Sequence, residues 1–86
     1  MKTDLTLLYF ASLGENLGVD KESITLENDT PTIATLKTQL AVRGDTWAKL
    51  LRDKSTRCAV NPAIANDNTA LNNGDDVAFF PPVTGG

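Results

Sequence analysis

The stretch that decides the fold is Asn73-Gly74-Asp75-Asp76-Val77-Ala78-Phe79-Phe80-Pro81-Pro82-Val83-Thr84-Gly85-Gly86. Val77 to Phe80 reads as the closing strand of a sheet, being rich in β-branched and aromatic residues. The Asn72-Asn73-Gly74-Asp75 run before it is turn chemistry, and Asp75-Asp76 is expected to belong to that turn. Proline has no amide hydrogen and a fixed φ, so Pro81-Pro82 ends sheet pairing and projects the following residues away from the body. The expected organisation is one domain over residues 1–80 and an extended tail over 81–86. Gly85 and Gly86 lack Cβ atoms, which lets them thread a narrow channel. At ~3.3–3.6 Å per residue the tail can reach about 20 Å, enough to enter a pocket in a partner while the body stays outside. Such a tail offers the carboxylate of Gly86. A carboxylate is unreactive until activated, so the reading expects an enzyme that makes an acyl-adenylate of Gly86, with Gly85 giving clearance and Val83 and Thr84 giving recognition.

Working upstream, Thr56 to Asn61 has strand composition, and Ala63 to Ala65 a shorter one. Pro62 between them predicts an edge or a bend. Thr32 suits an N-cap, and Ile33, Leu36 and Leu40 follow at i, i+3 and i+7 as one apolar stripe of a helix, with Gly44 at its stop. Asp45 is expected to cap a second short helix, Thr46 to Leu51. Trp47 within it reads as a core or core-edge ring rather than a ligand-stacking one. Leu5 to Phe10 and Glu22 to Leu26 read as an N-terminal hairpin, with Ile24 and Leu26 inward. Gly14 and Gly18 mark an irregular connection that includes a helical turn at Ser12 to Leu17. The order β-β-α-β-β-β, with one main helix crossing a mixed sheet, licenses a small α+β domain.

Composition narrows the function. The 86 residues carry a net charge of −3 and no histidine, which argues against nucleic-acid or anionic-membrane partners and removes the commonest general base and metal ligand. No apolar run approaches the roughly 18 residues of a membrane helix, and no signal-peptide stretch follows Met1, so a cytoplasmic protein is expected. Cys58 is the single cysteine. It is expected to be a buried structural thiol; the reactive alternative rests on its neighbour Arg57. Lys49, Arg52, Asp53 and Lys54 read as a solvated face, with steering of a partner as the alternative. Nothing resembles a phosphate loop, a metal site or a paired-carboxylate site, so ATP used in activation is expected to be bound by the partner.

Alternation exposes a second site. Leu5, Leu7 and Tyr9 share one face of the first strand, and Thr6, Leu8 and Phe10 the other. Likewise Val77 and Phe79 oppose Ala78 and Phe80. One helix covers one face, so Phe10, Leu8 and Phe80 are expected on the uncovered face, with Ile64 a further member. An apolar patch of this kind marks a partner surface; the alternative is that Phe10 or Phe80 folds over a sheet edge.

The string Phe79-Phe80-Pro81-Pro82-Val83-Thr84-Gly85-Gly86, with its Asn73 to Ala78 lead-in, closely resembles the end of the MoaD-type small subunit of molybdopterin synthase. The resemblance continues in Leu7-Leu8-Tyr9-Phe10-Ala11, in Pro31-Thr32-Ile33-Ala34-Thr35-Leu36 and in Ala59-Val60-Asn61, covering essentially the full chain. Pro62 departs from the pattern. The resemblance implies a ubiquitin-like β-grasp fold, with the first and last strands parallel at the sheet centre. It further implies a sulfur carrier without a permanent cofactor. An E1-like (MoeB-type) enzyme would adenylate Gly86, and a persulfide donor would convert it to a thiocarboxylate. The large (MoaE-type) subunit would then use that sulfur to build the dithiolene of molybdopterin. Phe10, Ile64 and Phe80 correspond to residues that contact the large subunit, in an assembly of two small subunits on a large-subunit dimer. A thiamine-pathway carrier and a ubiquitin-like modifier of lysines remain as alternatives, distinguished by the acceptor of the activated glycine.

Overall fold

The computed structural model describes residues 2–53 and 56–81. Lys54 and the tail residues Pro82, Val83, Thr84, Gly85 and Gly86 lie outside the described residues. The elements run β1 (Thr3–Tyr9), α1 (Ser12–Leu17), β2 (Lys21–Leu26), α2 (Ile33–Ala41), α3 (Asp45–Arg52), β3 (Arg57–Val60), β4 (Ala63–Ala65) and β5 (Asp75–Phe80). The strands form one mixed sheet in the order β2-β1-β5-β3-β4. The two terminal strands meet at its centre in parallel, with Leu7 opposite Val77 and Tyr9 opposite Phe79. β2 flanks β1 and β3 flanks β5, both antiparallel, and β4 pairs antiparallel with β3 at the edge of the sheet. This is the β-grasp expected from the sequence.

The core lies between the sheet and the helices. Leu5, Leu7, Tyr9, Val77 and Phe79 from the central strands are buried against Ile33, Leu36 and Leu40 of α2 and Leu51 of α3. The two-residue period of the strands and the stripe of α2 converge on one apolar interior, which is why these residues select this arrangement. Trp47 packs at the core edge, its ring perpendicular to that of Tyr9 with centroids 5.5 Å apart.

The start of α2 shows how the chain is fixed. Thr35 N–H donates to the Thr32 hydroxyl at 3.3 Å, and Thr32 N–H donates to the Thr35 hydroxyl at 3.2 Å. Ile33 and Ala34 donate to the carbonyls of Thr69 and Asp67, each at 3.0 Å. The otherwise unpaired amides of the first turn are thus all satisfied, and the loop after β4 is stitched to the helix.

Three local expectations are corrected. Gly44 does not stop α2, which ends on Val42 in a right-handed conformation; Gly44 is instead the N-cap of α3, with φ 151°. Asp45 is then the first helical residue rather than the cap, where its charge still favours the helix N-terminus. Asp75 and Asp76 are strand rather than turn. The turn is confined to Asn73 and Gly74, whose φ is 88°, and it closes through Asp75 N–H donating to Asn72 O at 3.1 Å. Asp75 is buried, which a carboxylate tolerates only with hydrogen-bond partners. Asn61 Nδ2 and Asn72 N–H supply them at 2.7 and 2.8 Å.

Candidate docking face and carrier terminus

The sheet has one face free of helix, and the register determines what it displays. Ile64 of β4 stands opposite Ala59 of β3, Ala59 opposite Ala78 of β5, and Ala78 opposite Leu8 of β1. Two residues further along the same pair of strands, Phe80 stands opposite Arg57. Phe10 N–H continues the parallel ladder by donating to Phe79 O at 3.1 Å, which places Phe10 beside Phe80. Their rings are stacked, 5.0 Å between centroids and within 4° of parallel. Phe10 is 43% exposed and Ile64 72%. The stack sits where the last strand gives way to Pro81, so the apolar surface and the exit of the chain coincide.

Each ring has a counterpart beneath the sheet. Phe79, fully buried, stacks on Tyr9 with centroids 5.8 Å apart. The Tyr9 hydroxyl donates to Glu22 Oε2 at 2.9 Å, and Arg43 grips both carboxylate oxygens of Glu22 at 2.7 and 2.8 Å. The Arg43 guanidinium lies 4.6 Å from the Trp47 ring centroid. This network anchors the tips of β1, β2 and α2. The Arg43 hydrogen bonds hold the Glu22 carboxyl below the usual range. Burial, then the bond to Glu22, pushes the Tyr9 hydroxyl well above the ordinary tyrosine value.

At the opposite end of β5, Asn61 acts as a clamp. Its φ is 54°, a conformation asparagine tolerates better than most residues. Its side chain bonds both Asp75 Oδ1 and Asp76 N–H, and its backbone N–H donates to Asp76 O. The register of β5, and with it the side of the sheet on which Phe80 emerges, is held from both ends.

Of the site residues expected from the sequence, Phe10, Ile64 and Phe80 share the uncovered face, and Pro81 follows directly from it. Pro82, Val83, Thr84, Gly85 and Gly86 lie outside the described residues. Ala59, which the register sets between Ile64 and Ala78 on this side, is itself only 2% exposed and was not singled out from the sequence, although period-two alternation from Cys58 assigns it there. Cys58 lies inside, its thiol 3.6 Å from Ala65 O and pushed to a higher pKa by burial. Among the described residues no three His, Cys, Asp or Glu side chains come together to hold a metal, and no helix is long and apolar enough to cross a membrane.

Fold and face together define a ubiquitin-like β-grasp domain with an exposed apolar surface where its last strand ends. The chain belongs to the ThiS family, whose model matches residues 7–86. It is 43% identical over 82 residues to the molybdopterin synthase sulfur carrier subunit of Haemophilus influenzae, and 39% identical to that of Escherichia coli. Each match covers 95% of this chain and 99% of the relative. A putative molybdopterin converting factor subunit 1 from Pyrococcus furiosus superposes with a TM-score of 0.80 at 26% identity, covering 94% of this chain and 99% of that one. Two solved structures at 21% identity support the fold alone. The small archaeal modifier protein 1 of Haloferax volcanii has a TM-score of 0.80 and covers 94% of this chain and 99% of its own. The complex of subunits 1 and 2 of the Helicobacter pylori molybdopterin-converting factor has a TM-score of 0.63, with coverage of 98% and 100%.

Proposed function

We propose that this chain is the sulfur-carrier subunit of a molybdopterin synthase, with Gly86 as the group that carries sulfur. The observation that carries the reading is near-full-length likeness to two sulfur carrier subunits of that enzyme. The stacked Phe10–Phe80 pair supports the placement of the docking face.

The chemistry follows from the terminus. An E1-like enzyme joins the Gly86 carboxylate to the AMP portion of ATP, releasing pyrophosphate, so that the carbonyl acquires a good leaving group. A persulfide donor attacks that carbonyl and displaces AMP. Reductive cleavage of the sulfur–sulfur bond by a thiol leaves the thiocarboxylate. This group is a nucleophile near neutral pH without a local base, which fits a domain lacking histidine. Within the large subunit it delivers sulfur to the cyclic pyranopterin precursor, and hydrolysis restores the carboxylate. The globular body binds through Phe10, Ile64 and Phe80, while Pro81 to Thr84 direct the terminus inward and Gly85 keeps the path clear. Cys58, buried and shifted towards its protonated form, has no part in the transfer.

Activation is tested by ATP–pyrophosphate exchange with the E1-like enzyme. Deleting Gly86, or adding one residue after it, is expected to abolish exchange with the thermal midpoint unchanged, because the core of the described residues is built from Leu5 to Phe79. Normal exchange by the extended protein would contradict the assignment of Gly86.

A further inference from the structure

The docking face contains a charge that the apolar patch does not account for. Arg57 opens β3 directly opposite Phe80, and alternation from buried Cys58 sets it on the helix-free side. Ile64, opposite Ala59, is its diagonal neighbour across the β3–β4 pair, at roughly 7–8 Å in such a ladder. Arg57 is exposed and, among the described residues, its guanidinium has no hydrogen-bond or ion-pair partner. Asp4, Lys21 and Asp76 share the face by register, but Lys21 lies on edge strand β2, and Asp4 and Asp76 lie at the end remote from Phe80. Arg57 lies between the two anchors, on a strand with β5 on one side and β4 on the other.

Any partner that touches both Phe80 and Ile64 therefore covers Arg57. A guanidinium cannot shed its charge, and its five N–H donors taken out of water without partners oppose binding more strongly than the flanking apolar contacts favour it. A carboxylate placed opposite reverses that balance through two parallel charge-assisted hydrogen bonds. We infer that Arg57 is a specificity-determining residue of the docking face: it requires an aspartate or glutamate on the large-subunit surface that covers Phe80 and Ile64. The requirement rests on the docking reading above and adds to it. Apolar complementarity alone accepts many hydrophobic surfaces; a central arginine rejects those that are apolar throughout or basic.

The test is the affinity of the full-length chain for the molybdopterin synthase large subunit of the same organism, by calorimetry over a range of salt concentrations. Thermal melts would confirm that each variant is folded. Arg57→Leu is the discriminating substitution. If a carboxylate faces Arg57, the leucine leaves it unpaired, so binding weakens by about tenfold and the salt dependence flattens. If no carboxylate faces it, removing a desolvated charge leaves affinity unchanged or tightens it, and the inference is overturned. Arg57→Glu is expected to weaken binding by about a hundredfold and to be rescued by a lysine at one acidic position of the large-subunit surface. Absence of rescue at every acidic position there also overturns it. Phe80→Arg separates the two levels. Weakened binding by this variant alongside an indifferent Arg57→Leu removes the arginine requirement and leaves the docking face standing. Unchanged binding by Phe80→Arg removes the face itself, and the requirement with it.

Discussion

At the residue scale, the most connected side chain is Tyr9, whose ring joins Phe79 to Trp47 and whose hydroxyl meets the Glu22–Arg43 pair. The linkage has a definite sign at each end of the pH range. Glu22 is depressed in the folded protein, so its contribution is present above its unfolded pKa of about 4.3 and is lost as pH falls through the folded value. Tyr9 is raised, so its contribution is present below its unfolded pKa of about 10 and declines as pH rises beyond it. Urea midpoints against pH should therefore fall more steeply below pH ~4.3 in the wild type than in Glu22→Gln. Above pH ~10 they should fall more steeply than in Tyr9→Phe. Parallel curves for wild type and variants would show that the network is not coupled to folding. The sequence disclosed the apolar role of Tyr9 through alternation. The Glu22–Arg43 bridge was hidden because its partners are 21 residues apart and only the closed fold joins them.

At the element scale, reading and structure agree where a residue type has one strong physical use. Thr32 before an apolar stripe marked the start of α2, and the Leu7/Leu8 and Phe79/Phe80 alternations assigned the two faces of the central strands. Disagreement came where one residue serves two purposes. Gly44 suits a helix end and equally a helix beginning, and the tight link between α2 and α3 made it the latter. Asp75 has turn chemistry, yet Asn61 and Asn72 satisfy its carboxylate and draw it into β5. Two substitutions separate helix anchoring from strand anchoring. Thr32→Ala removes the acceptor of the first turn and is expected to cost about 1 kcal/mol in chemical denaturation. Asn61→Ala leaves Asp75 without one buried partner and opens the β3–β4 turn, with an expected cost of about 2 kcal/mol. Equal costs below 0.5 kcal/mol, on the order of surface substitutions generally, would remove both anchoring roles.

At the scale of the whole molecule, the sheet divides the labour. One face is closed by α2 and α3 and supplies stability; the other keeps a stacked aromatic pair and a distant isoleucine in contact with water. The β-grasp topology explains why these features occur at the root of the tail. The last strand is central, so its exit cannot drift, and its neighbour β1 brings Phe10 to the same end. This much of the site was legible in the sequence, because alternation depends only on the period of a strand. The relation of Arg57 to Phe80 and Ile64 was not, since it depends on cross-strand register, which alternation does not provide.

The most direct test of the account follows the sulfur. The thiocarboxylated chain would be mixed with the large subunit and the cyclic pyranopterin precursor, and its intact mass followed while molybdopterin forms. The account predicts that sulfur is exchanged for oxygen at Gly86 in step with dithiolene formation, and that a folded Cys58→Ser variant is loaded and discharged equally well. A serine variant that folds but cannot be loaded would contradict the central claim. So would a loaded protein that yields only isopeptide bonds to lysines of other proteins and no dithiolene.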